Sequence, residues 1–396
     1  MEFRIPFNGR PHQYTETEID AVVGVMRGSA PLTQGVYLRE FENRFKQYSC
    51  VDHAFAVSNA TAGLELSAQL CQFKPGDEVI IPAHTFTSTA YPFVKNGAKI
   101  VWSDIDLATR VVTSETIASC ITSNTRAIVV PHLYGYGADM SAIVTLADQY
   151  GLLVIEDAAQ ALGVMVDDRM VGTYGDFGIF SFHAQKNITT LGEGGMLIVR
   201  DPAMAEVIPM LRHNGHCPYP SDRLEYWIPA MGDVDLPILN EESLWPANYC
   251  IGEVECALGV ILLDRINEIN NQKRQRALSV IDKLSGYSDL IFHREESPRH
   301  NYHLLVAQLA NNLRNPFIRQ MANRYGIQCV VQYYPLNRYP FYKKLGFGKA
   351  NCPNTDSFFD NMVSFPFHLS LSDEDLDFIV FACRETLDNL RENDSS

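Results

Sequence analysis

The sequence predicts an α/β fold in which helices cover both faces of a mainly parallel sheet. Between residues 53 and 157, runs rich in Val and Ile alternate with amphipathic runs of helical period. Strands buried on both faces give continuous apolar runs of this kind. The chain has 396 residues, of which 46% are hydrophobic and 20% charged. This length and composition predict a globular protein of more than one domain.

The first elements are predicted as two helices, a strand and the start of a third helix. Residues 16–26 read as a helix because Thr15 can cap it, acids occupy its first turn and Gly28 follows its end. Residues 37–48 form a second amphipathic stretch, and residues 53–57 a strand. The turn SNATAG, residues 58–63, leads from that strand into a helix.

This turn is a candidate anion site. Where a strand enters a helix through small residues, several backbone N–H groups are unpaired, and the helix dipole adds partial positive charge. A phosphate group binds well at such an end. An ordinary Ser or Asn helix cap explains the same residues, and the sequence alone leaves both interpretations open.

Strands and helices alternate through the rest of the chain. The predicted elements are a turn and strand 74–82, strand 98–106, helix 114–122, strand 126–135, helix 140–150, strand 151–157 and helix 204–215. Residues 218–246 are predicted to be irregular, and a segment of this length is usually functional. A long helical stretch then begins at Glu253 and leads into mixed strand and helix signals, which predict a small α+β unit.

Two acids, Glu156 and Asp157, end the predicted strand 151–157. Ligand sites of open α/β sheets lie at the carboxyl ends of strands, so Asp157 is a candidate to face a ligand. The ordinary alternative is that both acids only terminate the strand.

Lys186 is the single lysine of residues 179–200, which begin and end as apolar runs. A lysine is most often a solvated surface charge, because burying an unpaired ammonium is costly. Desolvation inside a fold, however, makes the amine a nucleophile toward aldehydes, as a Schiff base with pyridoxal phosphate requires. That cofactor also needs a carboxylate against its ring nitrogen, for which Asp157 is the candidate.

Several motifs together resemble one family. EDAAQALG at residues 156–163, followed by SFHAQKNITTLGEGG at residues 181–195, is similar to the signature of the DegT/DnrJ/EryC1/StrS sugar aminotransferases. Further motifs of the family are matched at residues 58–63, 82–90, 132–140, 248–259 and 364–375. The resemblance implies a fold type I enzyme with a seven-stranded sheet in a large domain, residues 1–255, and a smaller C-terminal α+β domain, residues 256–396.

The resemblance also implies the site residues. Lys186 would hold pyridoxal 5′-phosphate and move a proton, and Asp157 would keep the ring nitrogen protonated. The other implied cofactor contacts are Gln160 at the phenolic oxygen or ring face, Phe86 on the ring, Ala60, Thr61, Ala62 and Ser181 at the phosphate, and Asn248, which in the family reaches the neighbouring subunit's phosphate. Cys250 stands where the family usually has Arg, which puts the role of that Arg in doubt here. No metal site is predicted.

By the same resemblance, the amino donor is L-glutamate, the acceptor is a keto-sugar, and the enzyme is a homodimer with shared active sites. The acceptor is either a nucleotide-linked keto-sugar or an 8-oxo-3,8-dideoxy-octulosonate of lipopolysaccharide biosynthesis, and the sequence does not decide between them. Two alternatives are a cofactor-binding regulator and a sugar dehydratase. The dehydratase branch carries His in place of the lysine, so Lys186 speaks against it.

Composition excludes some partners. The formal net charge of −15 argues against nucleic acid and anionic membrane surfaces. Nine cysteines without a CxxC pair predict reduced thiols. Because no run approaches the length of a membrane span or a signal peptide, we expect a cytoplasmic protein.

Overall fold

The computed structural model describes residues 3–9, 13–28, 30–219, 232–310 and 312–394. Its strands are β1 Ala54–Val57, β2 Glu78–Pro82, β3 Lys99–Ser103, β4 Thr125–Pro131, β5 Leu153–Asp157, β6 Met165–Val166, β7 Arg169–Met170, β8 Phe177–Ser181, β9 Gly195–Val199, β10 His216–Cys217, β11 Asp233–Val234, β12 Ile238–Leu239, β13 Glu242–Ser243, β14 Leu290–Phe292, β15 Leu305–Leu309 and β16 Met362–Phe365. Its helices are α1 Glu16–Gly28, α2 Val36–Ser49, α3 Ala60–Leu70, α4 Tyr91–Lys95, α5 Ser114–Ala118, α6 Met140–Tyr150, α7 Pro202–Arg212, α8 Glu253–Leu284, α9 Arg314–Tyr325, α10 Pro340–Lys344, α11 Pro353–Asn361 and α12 Asp373–Asp394.

The central sheet contains seven strands of the described chain, in the order β1-β9-β8-β5-β4-β2-β3. Strands β3, β2, β4, β5 and β8 are parallel, and β9 runs antiparallel between β8 and β1. The prediction of an α/β fold around a mainly parallel, seven-stranded sheet is therefore confirmed.

Both faces of this sheet are buried, as β4 illustrates. Ala127 and Val129 pack into a core with α3 and α7, whereas Ile128 and Val130 pack into a second core with α6. Successive side chains of a strand point to opposite faces. Because both faces are covered, all four residues are apolar, and this produces the continuous apolar runs of the sequence.

The C-terminal part contains a second, three-stranded antiparallel sheet, β14-β15-β16, which packs with α9 and α12. The long helix α8 serves both parts. Leu258 and Ile266 lie in the core with α2, and Ala277 and Ile281 lie in the C-terminal core. The predicted domain boundary after residue 255 falls in the first turn of α8 and stays a prediction.

The predictions of helices α1 and α6 from their local sequence are confirmed. Helix α1 begins at Glu16, and the N–H of Glu18 donates to Oγ1 of Thr15 while the N–H of Thr15 donates to Oε2 of Glu18. This reciprocal pair is a capping box. Helix α6 has the predicted bounds. No helix of the described ranges combines the length and the apolar composition needed to cross a bilayer.

The prediction of irregular structure over residues 218–246 is wrong for its second half. Residues 220–231 lie outside the described residues, but β11 pairs with β10, and β12 and β13 form a hairpin. Asn240 and Glu241 in its turn have positive φ angles of 51° and 65°, as a two-residue hairpin turn requires. The sequence signal is weak because the turn lacks glycine and each strand has two residues.

Candidate active site

A cavity of about 600 Å³ opens where three neighbouring strands of the central sheet end. Pro131 at the end of β4, Asp157 at the end of β5 and Ser181 at the end of β8 all line it. Since parallel strands present their carboxyl ends at one edge, the fold brings these residues together.

Lys186 lies in the loop after β8 and lines this cavity. The backbone N–H of Lys186 donates to the carbonyl of His183 at 2.8 Å, which fixes the loop beneath the side chain. The residue is half-buried at the cavity wall, and desolvation of its amine lowers the pKa to about 8, although the carboxylates of Asp157 and Glu193 act in the opposite direction. The amine is therefore more often neutral at physiological pH than that of an ordinary lysine.

The carboxylate of Asp157 is buried and held by two donors. The hydroxyl of Thr89 donates to Oδ2 at 2.6 Å, and the N–H of Ala159 donates to Oδ1 at 3.2 Å. Asp157 is only 8% exposed, and it lines the cavity. Asp157 can thus present a fixed negative charge to a ligand.

Glu156 has a different environment, since adjacent side chains of a strand point to opposite faces. Its Oε1 accepts from the N–H groups of Tyr174 and Gly175, and its Oε2 accepts from the N–H of Gly172. Nε2 of His132 lies 3.0 Å from the same Oε2. Glu156 is fully buried and holds the loop before β8, so it does not face the cavity.

The turn into α3 combines both interpretations that the sequence allows. Oδ1 of Asn59 accepts from the N–H of Ala62 at 2.9 Å, which is an ordinary helix cap. The N–H groups of Ala60 and Thr61 are among the first donors of the helix, which have no partner within it. All four residues line the cavity, so an anion can bind at the remaining amides.

Gly195 explains part of the glycine-rich motif. It pairs with Val57 at the start of β9, and a Cβ added to it would lie 2.5 Å from the carbonyl carbon of Asn59. Any side chain there would displace the turn into α3. Glycine therefore allows β9 to pass directly against the candidate phosphate site.

Phe86 and Gln160 meet at Tyr333, from the C-terminal part. Phe86 is 50% exposed, lines the cavity and packs edge-on against Tyr333 with ring centroids 5.9 Å apart. Nε2 of Gln160 donates to the hydroxyl of Tyr333 at 3.1 Å, and Oε1 of Gln160 accepts from the N–H of Tyr134 at 2.7 Å. Ser181 also faces the cavity, where its Oγ accepts from the N–H of His183 at 3.3 Å.

Asn248 is the one predicted site residue that does not line this cavity among the described residues. It is exposed, and its Oδ1 accepts from the N–H of Cys250 at 3.3 Å. The next residue, Tyr249, lines the cavity instead. Within one chain, Asn248 is thus separate from the other predicted residues.

Sequence reasoning missed Thr89, Tyr249 and Tyr333 as site residues. Thr89 and Tyr249 lie inside the family motifs 82–90 and 248–259, so their place in these motifs could have indicated a role at the site. Tyr333 is 173 residues from its partner Gln160. No local pattern predicts that contact, because it depends on how the C-terminal part packs on the sheet.

The residues fit a phosphorylated pyridine aldehyde. An amine of lowered pKa, a buried carboxylate and the free amides of a helix N-terminus line one cavity, and they complement an aldehyde, a ring nitrogen and a phosphate respectively. In the described ranges, no group of His, Cys, Asp and Glu side chains is arranged to hold a metal ion.

Comparison with known proteins agrees with this geometry. The model of the DegT/DnrJ/EryC1/StrS aminotransferase family matches residues 12–384. The spore coat polysaccharide biosynthesis protein SpsC of Bacillus subtilis is 31% identical over 367 residues, which cover 89% of this chain and 90% of that protein.

Solved structures are similar over the whole fold. The aminotransferase TlmJ of Streptoalloteichus hindustanus superposes with a TM-score of 0.83 and 29% identity, covering 97% of this chain and 99% of that one. Spr1654 of Streptococcus pneumoniae, assigned as a sugar aminotransferase and solved in its PLP form, superposes with a TM-score of 0.83 and 27% identity, covering 98% and 99%. The chain therefore belongs to the DegT/DnrJ/EryC1/StrS aminotransferase family and is a pyridoxal phosphate-dependent aminotransferase of fold type I.

Proposed function

We propose that this enzyme transfers the amino group of L-glutamate to a keto-sugar. The observation that carries the proposal is that Lys186, Asp157 and the N-terminus of α3 line one cavity. This arrangement supports amino transfer over the alternative of a cofactor-binding regulator, because a lysine of lowered pKa is suited to move protons.

Each residue has a proposed role. Bound pyridoxal phosphate supplies the electron sink that stabilises negative charge on the reacting carbon. Nζ of Lys186 holds the cofactor covalently in the resting enzyme and then moves a proton to and from the donor's Cα. Asp157 keeps the ring nitrogen protonated. The remaining roles are phosphate binding by Ala60, Thr61 and Ser181, cover of the ring by Phe86, and contact of Gln160 with the phenolic oxygen or ring face.

We propose a different role for Ala62 than for its neighbours. Its N–H already donates to Asn59, so we assign the phosphate to the amides of Ala60 and Thr61, and Ala62 to the wall of the site. Asn248, exposed and outside its own cavity, is assigned to the phosphate of a partner subunit in a homodimer. Exposed apolar side chains nearby, Trp245 and Ile238, support an interface at this segment.

The keto-sugar acceptor is supported by the relatives, one named for polysaccharide biosynthesis and one assigned as a sugar aminotransferase. Both proposed acceptors, a nucleotide-linked keto-sugar and an 8-oxo-3,8-dideoxy-octulosonate, place the enzyme in cell-surface polysaccharide or lipopolysaccharide synthesis. All nine cysteines are free thiols, which supports the proposed cytoplasmic location.

Isotope transfer tests this function. Purified enzyme loaded with pyridoxal phosphate is given ¹⁵N-labelled L-glutamate and, in turn, keto-sugars of each proposed class. We expect ¹⁵N in the product sugar and an equal amount of 2-oxoglutarate, with neither formed by Lys186→Ala. If cofactor binds but no keto-sugar receives label, the regulator alternative replaces the proposal.

A further inference from the structure

A second cavity of about 60 Å³ adjoins Lys186, and we call it the rear cavity. It shares Gln185, Lys186, Gln332 and Tyr333 with the main cavity. Its other walls include Phe367 and Lys273 from the C-terminal half of the chain. Lys186 therefore lies where the two cavities meet.

Lys273, on α8, is a buried lysine. It is 3% exposed, and its Nζ donates to Oδ1 of Asn187 and to the carbonyl of His303, each at 3.0 Å. Nζ also lies 5.4 Å from the centroid of the Phe367 ring. An ammonium has three N–H donors, and these contacts use two of them.

No carboxylate of the described residues pairs with Lys273: the ion pairs there involve other lysines, arginines and histidines. Burial without a counter-charge lowers the pKa of Lys273 to about 7. A neutral amine is enough to donate hydrogen bonds to Asn187 and His303, whereas a buried charge without a partner is costly. An anion in the rear cavity would use the third donor of Lys273 and would favour its charged form.

The position of the rear cavity limits which anion fits. The amino-bearing carbon of a donor must lie beside Nζ of Lys186, and in an α-amino acid the α-carboxylate is attached to that same carbon. A volume of about 60 Å³ accepts a group of carboxylate size, whereas the main cavity, at about 600 Å³, offers far more room for a sugar. The cofactor phosphate has its own donors at α3.

We infer that the rear cavity is the subsite for the carboxylate next to the reacting carbon of the amino donor, with Lys273 as its cationic partner. The inference rests on the proposed function, because it assigns the donor half of that reaction. The acceptor sugar then occupies the main cavity, so Lys273 acts in one half-reaction and not in the other.

Two variants separate the positive charge of Lys273 from its hydrogen bonds to Asn187 and His303, and a third variant is the control. Lys273→Met removes the charge and the donors, whereas Lys273→Gln removes the charge but keeps an N–H donor for Asn187 or His303. Lys283 is on the same helix, is exposed and pairs with Asp377. Lys283→Met therefore removes a lysine of α8 that has no contact with the rear cavity.

The first readout is equilibrium binding, which needs no turnover. Glutarate, an unreactive dicarboxylate, is titrated into the pyridoxal phosphate-loaded enzyme. Because a charge-assisted contact is lost, we expect Kd to rise at least about tenfold in both Lys273 variants, and to stay within about twofold of wild type in Lys283→Met. Lys273→Gln that binds glutarate as wild type does would overturn the inference.

The second readout compares the two half-reactions in single turnovers. We expect the apparent Kd for L-glutamate to rise about tenfold in the Lys273 variants, while that for the keto-sugar is unchanged. If the apparent Kd for the keto-sugar rises instead, the rear cavity binds the carboxylate of an acidic acceptor, and the donor assignment is wrong. If wild type reacts with another amino acid but not with glutamate, the proposed donor fails, and the same comparison with that amino acid still decides the role of Lys273.

Discussion

The hydroxyl of Thr89 donates a 2.6 Å hydrogen bond to Oδ2 of Asp157. Thr89 is completely buried at the end of the short turn Thr87–Thr89, whereas Asp157 ends a strand of the central sheet. The bond joins two segments that are 68 residues apart. It fixes the orientation of the carboxylate that we assign to the ring nitrogen of the cofactor.

Thr89→Val keeps the shape of the side chain and removes this bond. A hydrogen bond to a charged group contributes about 1.5–3 kcal/mol, so we expect the rate of the glutamate half-reaction to fall roughly tenfold or more, with a smaller change in cofactor affinity. Thr87→Val, in the same turn but bonded to Tyr342, is the matched control. Equal losses in the two variants would show that the turn, and not the Thr89 bond, matters.

Asp157→Asn removes the negative charge and retains the shape of the site. A neutral amide no longer favours the protonated ring, so we expect the single-turnover rate to fall on the order of 100-fold, the scale of one lost electrostatic contact to developing charge. Cofactor affinity should change less, because the phosphate and the covalent bond are untouched. A rate near that of wild type would remove Asp157 from the ring nitrogen, and the buried bonds of Glu156 leave that residue unable to replace it.

The amine of Lys186 predicts a pH dependence of cofactor capture. Only the neutral amine attacks an aldehyde, so the capture rate of cofactor-free enzyme should rise with pH and level off above about 8, where Lys186 is mostly neutral. The negative charge of Glu193 raises this pKa; Glu193→Gln should therefore move the profile to lower pH. Stopped-flow absorbance measures both profiles, and Glu206→Gln on the exposed face of α7 is the control. A wild-type profile centred near 10 would contradict the desolvated position of Lys186.

Features repeated along the sequence were predictable, and features that depend on packing were not. The apolar runs of β4 and β5 predicted the sheet, because both of its faces are buried. Glu156 and Asp157 are adjacent in sequence, yet one holds a loop and the other faces the cavity, and that difference depends on which side of β5 opens onto the cavity at its carboxyl end. The burial of Lys273 was not predictable either, since a charged residue in a helix is expected to be exposed unless its tertiary contacts are known.

The assignment of Asn248 to a partner subunit predicts complementation. Lys186→Ala and Asn248→Ala enzymes, each of which we expect to be inactive alone, are mixed and allowed to exchange subunits. If sites are shared, one site of a hybrid dimer carries both changes and the other carries neither, so one of the two sites in each hybrid dimer regains activity. A mixture that exchanges subunits, as shown by mass spectrometry, but never regains turnover would place Asn248 in the site of its own chain.

Covalent labelling tests the central assignment of Lys186 most directly. Holoenzyme is reduced with borohydride, digested and mapped by mass spectrometry, with Lys186→Ala treated in parallel and checked for folding by circular dichroism. We predict a reduced pyridoxyl group on Lys186 in the wild-type enzyme and none in the folded variant. A pyridoxyl group on another lysine of the wild-type enzyme, with Lys186 unmodified, would contradict the account.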